Sequence, residues 1–327
     1  MTTIPGRYHL LLDTLKTLIS QDYPVDAIYL TIPKIAKRWG TPYPTLPLEI
    51  RQLVTVVHVD QDHGPITKIV GGLLMEPDPE TLIITADDDI WYSPNLVSSL
   101  VKQYLRRPGR AISGSGLFLS SGIISTSCHS QSVFMHNCFM RSWFIDFDVP
   151  SGGREVEILC GFSGVLYPRY AFPEPDQLAD LLQYAERSDA VFHNDDILLS
   201  SYLSSRGIKR VVVPDIPRTD EIRSISNSDD SDSKDGYSLS YDYITCLHRM
   251  QDAYQDCVNF GLIKDHPHFS WSETAVGRAV VLIIILIIFI LLICVMYYTF
   301  GRHWRYPHCG DDFYAASSMV MGVGGAW

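Results

Sequence analysis

The sequence predicts an α/β fold, a mixed and partly parallel sheet with helices on both faces, followed by one membrane-spanning helix near the C-terminus. Three observations carry this expectation. Short β-prone runs alternate with amphipathic helices through the first two hundred residues, an acidic triplet directly follows one of those runs, and 23 residues without a charge lie at 279–301. Strands joined by helical crossovers pair in parallel and need cover on both faces.

Tyr8–Ser20 carries leucines at 11, 15 and 18, the spacing of a one-faced helix. Ala27–Ile32 is a β-prone run closed by Pro33, and Val54–Val59 is a second. Pro65–Met75 reads as a helix weakened by Gly71-Gly72. Thr81–Ala86 is a third strand, and Ser93–Arg107 a helix with Ser93 as its cap and Pro94 at its first position. Residues 111–135 are rich in Gly and Ser, and Ile158–Tyr167 reads as one strand with two glycines at a close approach. Asp176–Glu186 and Asp195–Ser205 are expected helices, with Lys209–Val213 as the last strand. Thr219–Asp235 has the composition of a mobile acidic loop, and Tyr241–Phe260 returns to helical spacing. The expected organisation is an α/β domain over 1–215, an acidic loop over 216–240, a helical extension over 241–275, a span over 279–298 and a short tail over 299–327.

The uncharged run is long enough to cross a hydrocarbon core about 30 Å thick at roughly 1.5 Å per residue. Arg278 and Arg302 flank it, and Tyr297 and Tyr298 stand where an interfacial aromatic belt is expected. Asp13 and Lys16 interrupt the leucines near the N-terminus, so no secretory signal is read there. The expected topology is therefore a single-pass membrane protein with a C-terminal anchor and a cytosolic domain. Seven cysteines, with no C-x-x-C pair, agree with a reducing compartment. The chain holds 26 Lys and Arg against 37 Asp and Glu, a net charge of −11, which argues against a nucleic-acid partner.

Asp87-Asp88-Asp89 follows the Thr81–Ala86 strand. Ligands of open α/β sheets gather beyond the carboxyl ends of strands, and adjacent carboxylates repel unless a cation neutralises them. Carboxylates at i and i+2 can share one Mg²⁺ or Mn²⁺ that keeps positions for a diphosphate; a turn or cap cluster is the alternative. Asp60-Gln61-Asp62-His63-Gly64-Pro65, with Lys68 a turn into the next helix, lies at another strand end. Lys68 is either a phosphate partner or a surface lysine. His193-Asn194-Asp195-Asp196 opens a helix, where acids either answer the helix dipole or supply a general base.

Six runs in order then resemble one family: T-T-I-P-G-R at Thr2–Arg7, Q-D-Y-P at Gln21–Pro24, D-H-G-P-I-T-K at Asp62–Lys68, I-I-T-A-D-D-D-I at Ile83–Ile90, G-F-S-G-V-L-Y at Gly161–Tyr167 and N-D-D-I-L-L at Asn194–Leu199. They look like the nucleotide-sugar glycosyltransferases of the GT-A type, in particular the small family-2-like enzymes of bacteria and large algal DNA viruses. The resemblance covers about 2–215 and implies a donor (UDP- or GDP-linked), a glycan, glycolipid or glycoprotein acceptor, and Mn²⁺ or Mg²⁺. It implies that Asp89 holds the cation with Asp87, which also faces the donor ribose or sugar beside Asp88. Thr3, Pro5 and Arg7, with Asp60 or Asp62, would line the nucleotide pocket, and Lys68 would reach the phosphates. Gly161 and Gly164 would pass beneath the donor sugar and acceptor, and Asp196 or Asp195 would deprotonate the acceptor hydroxyl as the sugar transfers with inversion.

Two further readings stand beside this one. A catalytically degenerate form of the same fold could serve as a membrane-tethered binding or scaffold protein. An aspartyl phosphatase or phosphotransferase also uses a strand followed by D-x-D, but Trp91 stands at the fourth position after Asp87, where Thr or Val is expected.

Overall fold

The computed structural model describes residues 1–37, 40–118, 126–129, 149–217, 220–221, 243–265 and 283–293. Thr2 forms a parallel bridge to Thr31, and a 3-10 turn at Pro5–Arg7 leads into α1 (Tyr8–Ile19), which buries Leu11, Leu15 and Leu18 as the leucine spacing predicts. After β1 (Tyr29–Pro33) come a hairpin, β2 (Ile35–Ala36) with β3 (Thr41–Pro42), and the short helix α2 (Leu48–Arg51). None of these three small elements shows in the sequence pattern. β4 (Thr55–Val59) then pairs in parallel with β1.

α3 (Thr67–Met75) starts after a 3-10 turn at Gly64–Ile66, two residues later than expected. β5 (Leu82–Thr85) and β6 (Ile90–Trp91) flank the acidic triplet. α4 (Leu96–Arg106) begins at Leu96 with Asn95 before it, so Ser93 does not cap it; the Ser93 hydroxyl donates to the Asn95 side chain instead. β7 (Ala111–Ser113), β8 (Ser115–Phe118), β9 (Thr126–His129), β10 (Arg154–Glu155), β11 (Ile158–Leu159) and β12 (Val165–Pro168) follow. Ile158–Tyr167 is thus two strands, contrary to expectation. β11 pairs with β8 in one sheet and β12 with β5 and β7 in another, and a 3-10 turn at Gly161–Ser163 joins them. Gly164, at φ 74°, turns the chain from one sheet to the other, a conformation that glycine adopts without a Cβ clash.

The remaining elements are α5 (Ala179–Arg187), α6 (Asp189–Phe192), α7 (Asp195–Ser205), β13 (Arg210–Val212), β14 (Asp220–Glu221) and α8 (Tyr243–Asn259). The central sheet has the order β10-β13-β7-β12-β5, parallel between β13 and β7 and antiparallel elsewhere. Successive residues alternate across it. Ala111, Val165, Tyr167 and Val212 join one buried cluster with α3, α5, α7 and α8, whereas Ile112, Leu166 and Val211 join another with α1 and α4. Helices therefore cover both faces, as the α/β reading requires. At Asp220–Glu221 the expected acidic loop begins as an edge strand against β6; residues 222–242 lie outside the described residues.

One compact unit spans Met1–Gly277 and includes α8, so the helical extension belongs with the α/β domain. The second unit is Arg278–Trp327, in which 283–293 are helical and Ile283 to Ile293 are exposed. Among the described residues no helix is long and apolar enough to cross a membrane. The rest of the expected span, and the tail, lie outside the described residues.

Candidate functional site

The chain leaves the sheet after Thr85; Asp87 turns to Lys68, while Asp88 and Asp89 share Arg7. Asp88 is buried and inward: it accepts from the Thr3 hydroxyl at 2.6 Å and from Arg7 Nη1 at 2.9 Å, and its carbonyl accepts from Thr14 at 2.9 Å. Arg7 Nη1 also stands 3.0 Å from Asp89 Oδ2. Burial disfavours the charged guanidinium, but Asp88 and Asp89 outweigh that and hold it above its ordinary range. The 3-10 turn opened by Pro5 is what brings Arg7 over the triplet. The backbone N–H of Asp87 donates to the buried Tyr92 hydroxyl at 2.8 Å.

Lys68 is no surface lysine. It rises from the first turn of α3 and is 7% exposed; its ammonium donates to Asp87 Oδ1 and lies 2.9 Å from Asp195 Oδ2. Burial works against its charge, yet Asp195, Asp87 and Asp196 together hold it well above the usual lysine range. Asp195 Oδ2 is buried and, despite this ion pair, takes no aligned hydrogen bond.

Asp195 and Asp196 occupy the first turn of α7, where the helix dipole favours acids. The preceding Asn194 makes no side-chain cap and donates to Ala190 O at 2.7 Å. Asp196 Oδ2 instead accepts the Gly161 N–H at 2.8 Å across the turn between β11 and β12. Burial first, then the Asp195 and Asp87 carboxylates, push Asp196 up to about 8, against the opposing effects of Lys68 and the Gly161 amide. Below them Tyr167 is buried, its phenol held well above the ordinary value by desolvation and then by Asp196 and Asp195.

The Gly161 contact needs glycine. A Cβ there would lie 2.6 Å from Asp196 Oδ1 and 3.4 Å from Lys68 Nζ. On a catalytic reading of the site, Gly161→Ala is expected to displace Asp196 and lower turnover by about tenfold to a hundredfold, the scale of a small misplacement of reacting groups. Unchanged turnover with an unchanged melting temperature would refute the close approach.

The structure therefore brings together Thr3, Arg7, Lys68, Asp87, Asp88, Asp89, Gly161, Asp195 and Asp196 from five separate segments. Three expected residues lie differently. Asp60 is exposed and pairs with Lys34. Asp62 accepts the Lys37 and Gly64 N–H groups at 2.9 and 2.8 Å and so shapes the loop before α3. Gly164 faces Leu96 and Leu100 of α4 rather than the aspartates. Tyr167 in β12, Thr14 in α1 and Tyr92 just after β6 carry no sequence signal of a site, and all three are buried beside it.

Among the described residues, no three His, Cys, Asp or Glu side chains converge as a ready-made metal centre. The donor chemistry still fits Mg²⁺ or Mn²⁺, which take one or two carboxylates and complete their shell with water and substrate phosphates. Five carboxyl groups face one ammonium and one guanidinium here, and the Asp195 oxygen lacks an aligned donor. No protein-family profile matches the chain, and comparison with curated proteins returns no match.

Proposed function

We propose that the protein is a metal-dependent, membrane-anchored glycosyltransferase of the GT-A type that moves a sugar from a nucleotide-sugar donor to an acceptor hydroxyl with inversion. The observation that carries this reading is the meeting of Asp87–Asp89 and Lys68 with Asp195-Asp196, more than a hundred residues further along the chain. In this reading Asp87 and Asp89 hold a divalent cation, which when bound offsets the charge of the departing nucleoside diphosphate. Arg7 and Thr3, fixed through Asp88, shape the nucleotide side. Asp196 is the base: its raised affinity for protons suits it to take one from the acceptor hydroxyl near neutral pH. The exposed apolar helix at 283–293 supports the anchor.

A thermal-shift screen of UDP- and GDP-linked sugars, with and without Mn²⁺, tests the proposal. One donor is expected to raise the melting temperature only with Mn²⁺, and Asp89→Ala is expected to lose that response. A response to no donor, or an equal response in Asp89→Ala, would overturn the reading. A non-catalytic binding protein has one observation in its favour: Lys68 and Arg7 already pair with all three aspartates of the triplet. Donor binding without turnover would support it.

A further inference from the structure

We propose that Lys68 is a resident counter-cation of the site, occupying on Asp87 the place a divalent cation takes, and that the two exchange. The inference rests on, and deepens, the reading of Asp87 and Asp89 as a cation site. A dication and an ammonium on one carboxylate repel each other, so each weakens the binding of the other. The Lys68 ammonium is already on Asp87 Oδ1. The backbone of α3 cannot withdraw it. Gly71 of that helix donates its N–H to Thr31 Oγ1 at 3.0 Å, and Ile69, Val70 and Leu73 are buried in the core. Any adjustment must come from the side chain.

A second acceptor stands within reach of the ammonium. Asp195 Oδ2 lies 2.9 Å from Nζ yet takes no aligned hydrogen bond. It is an acceptor whose hydrogen bond is completed when Lys68 rotates away from Asp87. Gly161 keeps the ammonium uncrowded, since a Cβ there would stand 3.4 Å from Nζ. Lys68 is thus a positioning residue. It keeps Asp87 and Asp195 from repelling one another while the site lacks a divalent cation, and it sets the affinity for that cation by competing with it.

The test is Mn²⁺ binding to the full-length chain without nucleotide, read from the electron paramagnetic resonance of free Mn²⁺. Lys68→Met is expected to bind Mn²⁺ at least about tenfold more tightly than the unaltered chain, and Lys68→Arg, which keeps the charge, within roughly threefold of it. Equal or weaker binding in Lys68→Met overturns the exchange while leaving the cation site standing. Binding to neither overturns both. A Mg²⁺ titration of the unaltered chain, following the Lys68 side-chain ¹⁵N resonance, decides the matter without relying on the variant to fold: the resonance is expected to move with cation occupancy, and an unmoved resonance at saturation refutes the exchange.

Discussion

Asp196→Asn is expected to lose transfer activity by about 10²–10⁴-fold, the usual contribution of a positioned general base, while the chain stays folded. The amide can still accept the Gly161 N–H but cannot take a proton. The measurement is turnover with the donor found by the thermal-shift screen, and near-normal turnover would reassign the base to Asp195. The pH behaviour separates the two further. With Asp196 pushed up to about 8, the rate of the unaltered chain is expected to climb with pH through about 8 and then level.

Stability moves in the opposite direction. Between about pH 4, where an unfolded aspartate titrates, and about pH 8, the native chain keeps a proton that the unfolded chain has released. The stabilisation from protonated Asp196 is therefore complete below about pH 4 and is lost as pH rises through about 8. Asp196→Asn removes that dependence, so its melting temperature is expected to gain on the unaltered chain steadily across that window. Parallel melting curves for the two chains would show that Asp196 keeps an ordinary affinity for protons.

Arg169→Met is expected to cost about 3 kcal/mol, the scale of removing a buried charged donor from its acceptors, and to lower the melting temperature by roughly 6–12 °C. Arg169 is 1% exposed, and its guanidinium reaches four carbonyls: Glu76 at 2.7 Å, Pro173 at 3.0 Å, Leu73 at 3.2 Å and Phe172 at 3.4 Å. Leu73 and Glu76 lie at the C-terminal end of α3, where unpaired carbonyls and the dipole both favour a cation. The helix that carries Lys68 is thus capped by a side chain 93 residues away from Glu76. Arg206→Met, on an exposed residue, is the control and is expected to change stability by less than about 0.5 kcal/mol. Equal melting temperatures for the two variants would remove Arg169 from its capping role.

Much of the fold follows from local pattern. Leucines at 11, 15 and 18 face one side of a helix in any context, and Leu82–Thr85 is apolar enough to be a buried strand wherever it lands. The errors fall where long-range pairing overrides local preference. Ile158–Tyr167 looks continuous because each half is β-prone, but its halves serve different sheets, and only the ladder partners reveal the break at Gly161–Ser163. Ser93 and Pro94 read as a helix start, yet the backbone stays in a turn until Leu96.

The candidate site divides in the same way. That Asp87–Asp89, Lys68 and Asp195-Asp196 are candidates for one site was legible from their residue types and their places at strand and helix ends, because those features are local. Which partner each aspartate takes was not. Asp88 looks equivalent to its neighbours until Thr3, 85 residues away, accounts for its inward turn. Asp196 is set apart from Asp195 by the Gly161 amide, by the desolvation that the surrounding elements impose, and by Lys68 pairing directly with Asp195. Residue type and periodicity travel with the chain, so the elements, the acidic composition and the apolar run could be read directly. Charge pairing, burial and proton affinity depend on distances between segments, and those exist only once the sheet has brought the segments together.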